Sequence, residues 1–241
     1  MIIGIQQAEH LPWIGFFNKM ATVDGFVLLD HVQFKKNYFE NRNRIKTANG
    51  VVWLTVPVRQ NGRFGQSLME VEISDDPKWK KKYLKTVEQE YGKSPFWGDV
   101  YDLIWPVFEK DYRLLIDLNL NLINSFVAYL KIGTPKVQSS SLNVGEERKG
   151  GLVLKICQLM SADSYLSGPD GRNYLDLASF EKNGIQMAYH DFEHPVYPQM
   201  HGDFVSHLSV LDLIANCGQE SQRIVRECYK FNPPIVSEVV K

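Results

Sequence analysis

The chain predicts an α/β fold, a Rossmann-like, mostly parallel sheet with a helical insertion in the middle of the chain. Three observations predict it. The first thirty residues read strand, loop, helix, strand, the pattern of a βαβ unit with a right-handed crossover. The last ninety alternate helix and strand again. Between these stretches, residues 76–132 are helical in pattern and form a candidate helical subdomain inside a single domain of residues 1–241. A chain of 241 residues with 44% hydrophobic and 23% charged content can bury one sizeable core.

Taken in order, Ile2, Ile3 and Ile5 make the short apolar run of a strand buried on both faces. The polar group Gln6-Gln7-Ala8-Glu9-His10 follows. Pro12 suits a first helical turn, where its missing N–H costs nothing. Trp13, Phe16, Phe17 and Met20 then recur at helical spacing. Gly25 ends that helix and residues 26–29 read as a second buried strand. Residues 51–58 and 69–73 read as further strands, the second by its polar-apolar alternation. The loop between them carries Arg59 and Arg63 but lacks the Gly-Lys-Ser/Thr ending of a phosphate loop. Asp76-Pro77 opens a helix with the stripe Trp79, Tyr83, Leu84, Val87, Tyr91; its lysine-rich outer face reads as solvated, because Glu88 and Glu90 balance it. A second helical stretch breaks near Pro106, and residues 107–131 continue as helix. Residues 137–142 are a short strand and a polar loop whose three serines can donate to a phosphate or a carboxylate. Helices over 152–160, 174–183 and 208–216 alternate with strands over 164–166 and 185–189.

In such sheets ligands gather beyond the carboxyl ends of the strands. That rule singles out Gln7 and His10 after the first strand, and Asp30, His31 and Gln33 after the second. It also singles out Asp170 and Arg172 in the tight turn after the strand over 164–166. Asp30 is a candidate catalytic carboxylate. Lys35, Lys36, Arg42, Arg44 and Lys46 fall within twelve residues against the single acid Glu40, interleaved with Phe34, Tyr38 and Phe39. The whole chain holds 27 Lys+Arg and 28 Asp+Glu, so this is a local concentration and not a basic bias. Arg grips phosphate or carboxylate with two parallel N–H bonds, Lys acts as a point charge, and aromatic rings stack a base or sugar. Lys36, Asn41, Arg42 and Arg44 are therefore candidate binding residues for a nucleotide, a nucleotide-sugar or a single strand. A solvated charged loop is the alternative. The overall charge of −1 does not favour nucleic acid as the partner; a phosphate-bearing small molecule is expected.

Residues 190–203 hold His190, His194 and His201 with Asp191, Glu193 and Asp203, a spacing unlike a helical zinc motif, so no metal is expected. His194 or His201 is instead a candidate general base, paired with Asp191 or Asp203, with Tyr197 and Gln199 as binding residues. No basic, apolar leader opens the chain, no apolar run reaches membrane-spanning length, and Cys157, Cys217 and Cys228 are far apart. A cytoplasmic protein with reduced thiols is expected.

The chain resembles the WbqC-like family of bacterial proteins. The resemblance rests on Gln7…Leu11-Pro12-Trp13-Ile14-Gly15-Phe16-Phe17, on Phe26-Val27-Leu28-Leu29-Asp30-His31-Val32-Gln33-Phe34 and on Asn41-Arg42-Asn43-Arg44-Ile45. It continues through Trp53-Leu54-Thr55-Val56-Pro57-Val58, Tyr165-Leu166-Ser167-Gly168-Pro169, His194-Pro195-Val196-Tyr197-Pro198-Gln199 and Leu208-Ser209-Val210-Leu211-Asp212-Leu213. Two departures stand out: the family usually has Gln-Pro at Gln7-Ala8 and commonly a second Asp at His31. The resemblance implies an acyl or aminoacyl (glycyl-type) transferase that forms an amide on an amino sugar, nucleotide-linked, in O-antigen or other surface polysaccharide biosynthesis. Such a reaction needs an activated donor, either an acyl thioester or an acyl-adenylate made with ATP. Two other classes remain open: a non-catalytic binder of nucleotide-sugars or single strands, and a nucleotidyltransferase or adenylate-forming enzyme.

Overall fold

The computed structural model describes residues 1–228. Strand β1 (Ile2–Gln7) leads through helix α1 (Ile14–Thr22) to β2 (Gly25–Leu29), and an antiparallel hairpin of β3 (Arg42–Thr47) and β4 (Gly50–Thr55) follows. Helices α2 (Trp79–Tyr91), α3 (Trp97–Phe108) and α4 (Leu115–Tyr129) form the middle block. Then come β5 (Lys136–Gln138), α5 (Lys149–Leu159), β6 (Ser164–Ser167), α6 (Leu177–Lys182), β7 (Gln186–Tyr189), α7 (Val210–Cys217) and α8 (Ser221–Glu227). The five strands β5-β2-β1-β6-β7, in that spatial order, make an all-parallel sheet with helices around it, the Rossmann-like α/β fold. The chain builds outward from β1 on one side through β2 and β5, then crosses to β6 and β7 on the other. The point of reversal lies between β1 and β6, where open parallel sheets form a crevice at their carboxyl edge.

Side chains alternate across the sheet, as the pleat requires. Ile3, Ile5, Val27, Tyr165 and Met187 point into a core with Leu152, Val153 and Ile156 of α5 and Phe180 of α6. Phe26, Leu28, Leu166 and Ala188 point the other way, into a larger core with Phe16, Phe17 and Met20 of α1. Gly4 lies on that second face because a Cβ there would come within 3.1 Å of the Phe26 ring. The larger core runs on through Tyr83, Val87 and Tyr91 of α2, Ile104 of α3, Leu118, Leu122 and Phe126 of α4, and Leu211 and Ile214 of α7. The middle helices thus share apolar packing with the sheet.

Several elements differ from the pattern-based expectation. Residues 69–73 are no strand: Leu68–Glu70 is a 3₁₀ turn closed by a capping box between Ser67 and Glu70, and this local hydrogen bonding outweighs the alternation. The strand expected over 51–58 stops at Thr55, two residues before Pro57, which has no N–H to offer a ladder. The helix expected over 107–131 is two elements, because α3 runs through Pro106 to Phe108 and α4 restarts at Leu115. Asp76 is not the N-cap and Pro77 not the first helical residue: α2 begins at Trp79 with Lys78 at its N-cap, and the Asp76 carboxylate accepts the Lys78 N–H (2.9 Å) in the turn before the helix. Among the described residues no helix is long and apolar enough to cross a membrane.

Candidate functional site

The carboxyl edge of the central strands holds a group of polar side chains that the alternating pattern does not account for. Glu9 follows β1 and is 5% exposed; Glu40, just before β3, is 1% exposed. Glu9 Oε1 accepts from Gln6 Nε2 (3.0 Å), while its Oε2 is buried with no hydrogen-bond partner. Both oxygens of Glu40 are buried and unpartnered; the amides of Glu40 and Lys35 lean toward its charge without closing a hydrogen bond. Burial is the main force that pushes the Glu9 carboxyl up to about 7, and the charge of Glu40 adds to it. Burial likewise pushes Glu40 up to about 7. Lys19 of α1 is buried beside them; it donates to the Ile5 carbonyl (2.8 Å), and burial lowers it to about 8 while Glu9 holds it up.

Tyr38 connects this pair to the crevice. Its hydroxyl is shifted upward by burial and then by the charges of Glu9, Asp170 and Glu40. The Phe39 carbonyl accepts the His10 N–H (2.9 Å), and Asn119 Nδ2 donates to the carbonyls of Ala8 (2.9 Å) and Glu40 (2.7 Å), so the loop over residues 35–41 is held against the segment after β1. Lys35, Lys36 and Tyr38 are exposed on this loop, and the Lys35 ammonium lies 4.9 Å from the Tyr38 ring centre. Arg172 stacks 4.0 Å over Tyr189 and pairs with Asp191 at 3.5 Å. Arg42 stacks 4.1 Å over Trp53 and donates to the Asn37 carbonyl. The arrangement is a dry, anionic floor under a cationic and aromatic rim.

The expected site residues divide into groups. Gln7 is half-buried at the end of β1, and Lys36, Asp170 and Arg172 are exposed around the same edge. Asn41 donates to the Val56 carbonyl (2.9 Å) and keeps its buried Oδ1 unpartnered. Gln33 is exposed and its backbone bridges to Ser67. Asp30 sits at the end of β2 but is saturated. Its carboxylate accepts from Gln138 Nε2 (2.9 Å), Ser139 Oγ (2.9 Å), Ser140 N (2.9 Å) and Ser140 Oγ. Burial alone would raise its pKa, but these bonds outweigh that and hold it below the usual carboxylate range. Ser139 also meets His31 Nδ1 at 2.6 Å. His10 is wholly buried between Asn119 Oδ1 (2.9 Å) and Tyr83 Oη (2.7 Å), and burial lowers it to about 4, so it ties the β1 loop to α2 and α4 as a neutral ring.

The remaining residues take partners on α2, α7 and β3 instead of on strand ends. Tyr197 Oη (2.9 Å) and Gln199 Nε2 (2.8 Å) donate to buried Asp212 of α7, which also takes the Tyr91 hydroxyl. Lys46 donates to Gln199 and to the Gly202 and Asp203 carbonyls, and Arg44 donates to the His207 carbonyl (2.8 Å). His201 lies against the Glu90 carbonyl (3.2 Å) and carboxylate (3.8 Å). His194 packs among Trp13, Phe192, Tyr197, Phe204 and His207. Its Nδ1 is 2.9 Å from the Pro195 carbonyl, and its Nε2 accepts the His207 N–H (3.0 Å), so both ring nitrogens are engaged. Among the described residues no group of three or more His, Cys, Asp or Glu is placed to hold a metal ion. An open cleft of about 680 Å³ lies elsewhere, lined by Arg59, Glu72 and Arg113; its charges pair with one another, Glu72 with all of Arg59, Arg63 and Arg113.

Glu9, Glu40 and Lys19 did not emerge from sequence reasoning as site residues, whereas Tyr38 did so only as one of the aromatics interleaved with the cationic run. The one available signal was that Glu40 is the single acid inside the cationic run. Fold and site together define a Rossmann-like α/β protein with buried carboxylates near the carboxyl edge of its central strands. The chain belongs to the WbqC-like protein family, whose model matches residues 7–224, a span that includes all four of these residues. It is 34% identical over 228 residues to the uncharacterized protein Rv1507c of Mycobacterium tuberculosis (strain ATCC 25618 / H37Rv), covering 94% of this chain and 98% of that protein. No solved structure matches the chain.

Proposed function

We propose that this chain is an acyl or aminoacyl transferase that forms an amide on an amino sugar, nucleotide-linked, in surface polysaccharide biosynthesis. The observation that supports it is the crevice itself: proton acceptors held near neutral pH lie under a rim that suits phosphate and a ring. Amide formation needs both parts. The acceptor amine is charged at neutral pH and must lose a proton before it attacks, and a base with a pKa near 7 takes that proton most effectively. Lys35, Lys36 and Arg172 supply the positive field for the phosphates, and Tyr38 and Trp53 supply faces for base or sugar. The acyl donor is a thioester or an acyl-adenylate made with ATP. With both nitrogens of His194 engaged, the carboxylates are the better base.

The test is a thermal-shift screen of nucleotide-sugars, nucleotides, coenzyme A and ATP, followed by an amide-formation assay on the ligands that register. A ligand that binds only the native state raises stability as RT ln(1 + [L]/Kd), so a shift is expected with nucleotide-linked amino sugars. Lys35→Ala combined with Lys36→Ala should weaken that binding by about tenfold or more, and the remaining binding should tighten less than the parent's as salt is lowered. Saturable binding with no amide formed from any thioester or from ATP plus free acid would sink the transferase and leave a nucleotide-sugar binder.

A further inference from the structure

We infer that Glu9 and Glu40 form the pocket for the acceptor's primary ammonium group, with Tyr38 over its mouth. The inference rests on the transferase reading and assigns the amine to two residues of this chain. The first ground is a count of unmet valences. Three buried carboxylate oxygens, Glu9 Oε2 and Glu40 Oε1 and Oε2, have no donor. A buried acceptor without a donor costs the full desolvation of that group, and such oxygens are rare without a partner to come. An alkylammonium brings three N–H donors and one positive charge, matching those three oxygens and offsetting one of two buried negative charges. A sugar hydroxyl brings one donor and leaves two oxygens orphaned.

The second ground is the surroundings. Glu9 is held in place from behind by Gln6, and Lys19 adds a positive charge on that side. Among the described residues no third His, Cys, Asp or Glu is placed to join these two carboxylates around a metal ion. The third ground is position. The His10 N–H donates to the Phe39 carbonyl (2.9 Å) and Asn119 Nδ2 to the carbonyls of Ala8 (2.9 Å) and Glu40 (2.7 Å), so the segments that carry the pair lie beside the loop that carries Lys35 and Lys36. A phosphate on that loop and an amine on the floor can belong to one molecule.

The chemistry balances without a further reagent. The ammonium gives one proton to Glu40, which becomes a neutral acid, and leaves an amine with a free electron pair. That pair forms the new C–N bond to the donor carbonyl. The donor's bond to its thiolate or adenylate breaks, and that group departs with the electrons. The second nitrogen proton, lost as the intermediate collapses, goes to Glu9.

The experiment titrates full-length, ¹⁵N-labelled protein with glucosamine 6-phosphate, with glucose 6-phosphate as the matched ligand lacking the amine, and with methylammonium chloride. Wild type and Glu40→Gln are compared at pH 7.5. The expected result is that the amino sugar phosphate binds about tenfold or more tightly than glucose 6-phosphate to wild type and about equally to the variant. Equal binding of both sugars to wild type, or a preference that survives Glu40→Gln, overturns the ammonium pocket and leaves the phosphate crevice standing. Saturable shifts of the Glu9 and Glu40 amides with methylammonium, absent in Glu40→Gln and without binding of either sugar phosphate, uphold the pocket and overturn the sugar-phosphate reading. No response to any of the three overturns both.

Discussion

Glu40 and Asp30 are two buried carboxylates at one edge of one sheet, and the fold treats them in opposite ways. Asp30 takes four hydrogen bonds, one from Gln138 at the end of β5 and three from Ser139 and Ser140 just after it, and stays ionised. Glu40 takes none and is pushed up to about 7. Satisfaction of this kind marks a structural group, and its absence leaves the desolvation of Glu40 uncompensated. The difference sets opposite pH dependences. A carboxyl raised in the folded state favours folding fully below its ordinary value of 4.5, and that contribution is lost as pH rises through about 7. The wild type should therefore lose on the order of 3 kcal/mol between pH 4.5 and 8 from this group. Glu40→Gln should flatten that part of the profile, read as urea midpoints across the range; an unchanged profile would mean that Glu40 is ionised at no cost. Asp30, lowered in the fold, contributes stability above its ordinary value that is lost as pH falls through its folded value. Asp30→Asn puts a donor where Ser140 N–H and Gln138 already donate, and should cost about 1–3 kcal/mol in urea unfolding at pH 7.

At the scale of elements, β3 is the hinge between what is functional and what is structural. Its inward residues Asn43, Ile45 and Thr47 are buried in the fold, and its alternate residues Arg42, Arg44 and Lys46 are cations. Two of those three hold the loop over residues 199–207 by its carbonyls, and Asp212 of α7 gathers Tyr91, Tyr197 and Gln199 beneath that loop. Asp212→Ala would leave Tyr91, Tyr197 and Gln199 without their shared acceptor. It should cost about 3–5 kcal/mol, measured by chemical denaturation. Arg44→Ala should loosen the loop, seen as faster amide exchange at His207, while ligand affinity at the crevice stays as it was. In the sheet itself, Phe26 fills the space that Gly4 leaves, so Phe26→Ala should cost about 3–5 kcal/mol through the cavity it opens. A loss under 1 kcal/mol would show that the α1 face repacks freely.

For the whole molecule, a near-neutral chain concentrates cations at residues 35–46 and along the outer face of α2, and the strand order places the first of these runs near the carboxyl edge of the central strands. Much of this was legible in advance. The apolar run at Ile2, Ile3 and Ile5, the helical spacing from Trp13 to Met20 and the run at 26–29 define β1, α1 and β2, because burial on a strand or helix writes its own period into neighbouring residues. The serines after β5 could be read as donors to a carboxylate, but only the folded chain shows the carboxylate to be Asp30. Strand 69–73 was misread because alternation over five residues carries less than one capping box. The sequence by itself determined the parallel α/β class, the local cationic run and which polar residues follow β1 and β2 at the carboxyl edge of the sheet. Only the tertiary structure decided which charges are already spent, as in Arg44, Lys46 and Asp30, and which are left unmet, as in Glu9 and Glu40. The reason is physical: periodicity is a property of adjacent residues, whereas desolvation and hydrogen-bond satisfaction depend on groups brought together from β1, α1, the loop before β3 and the turn after β6.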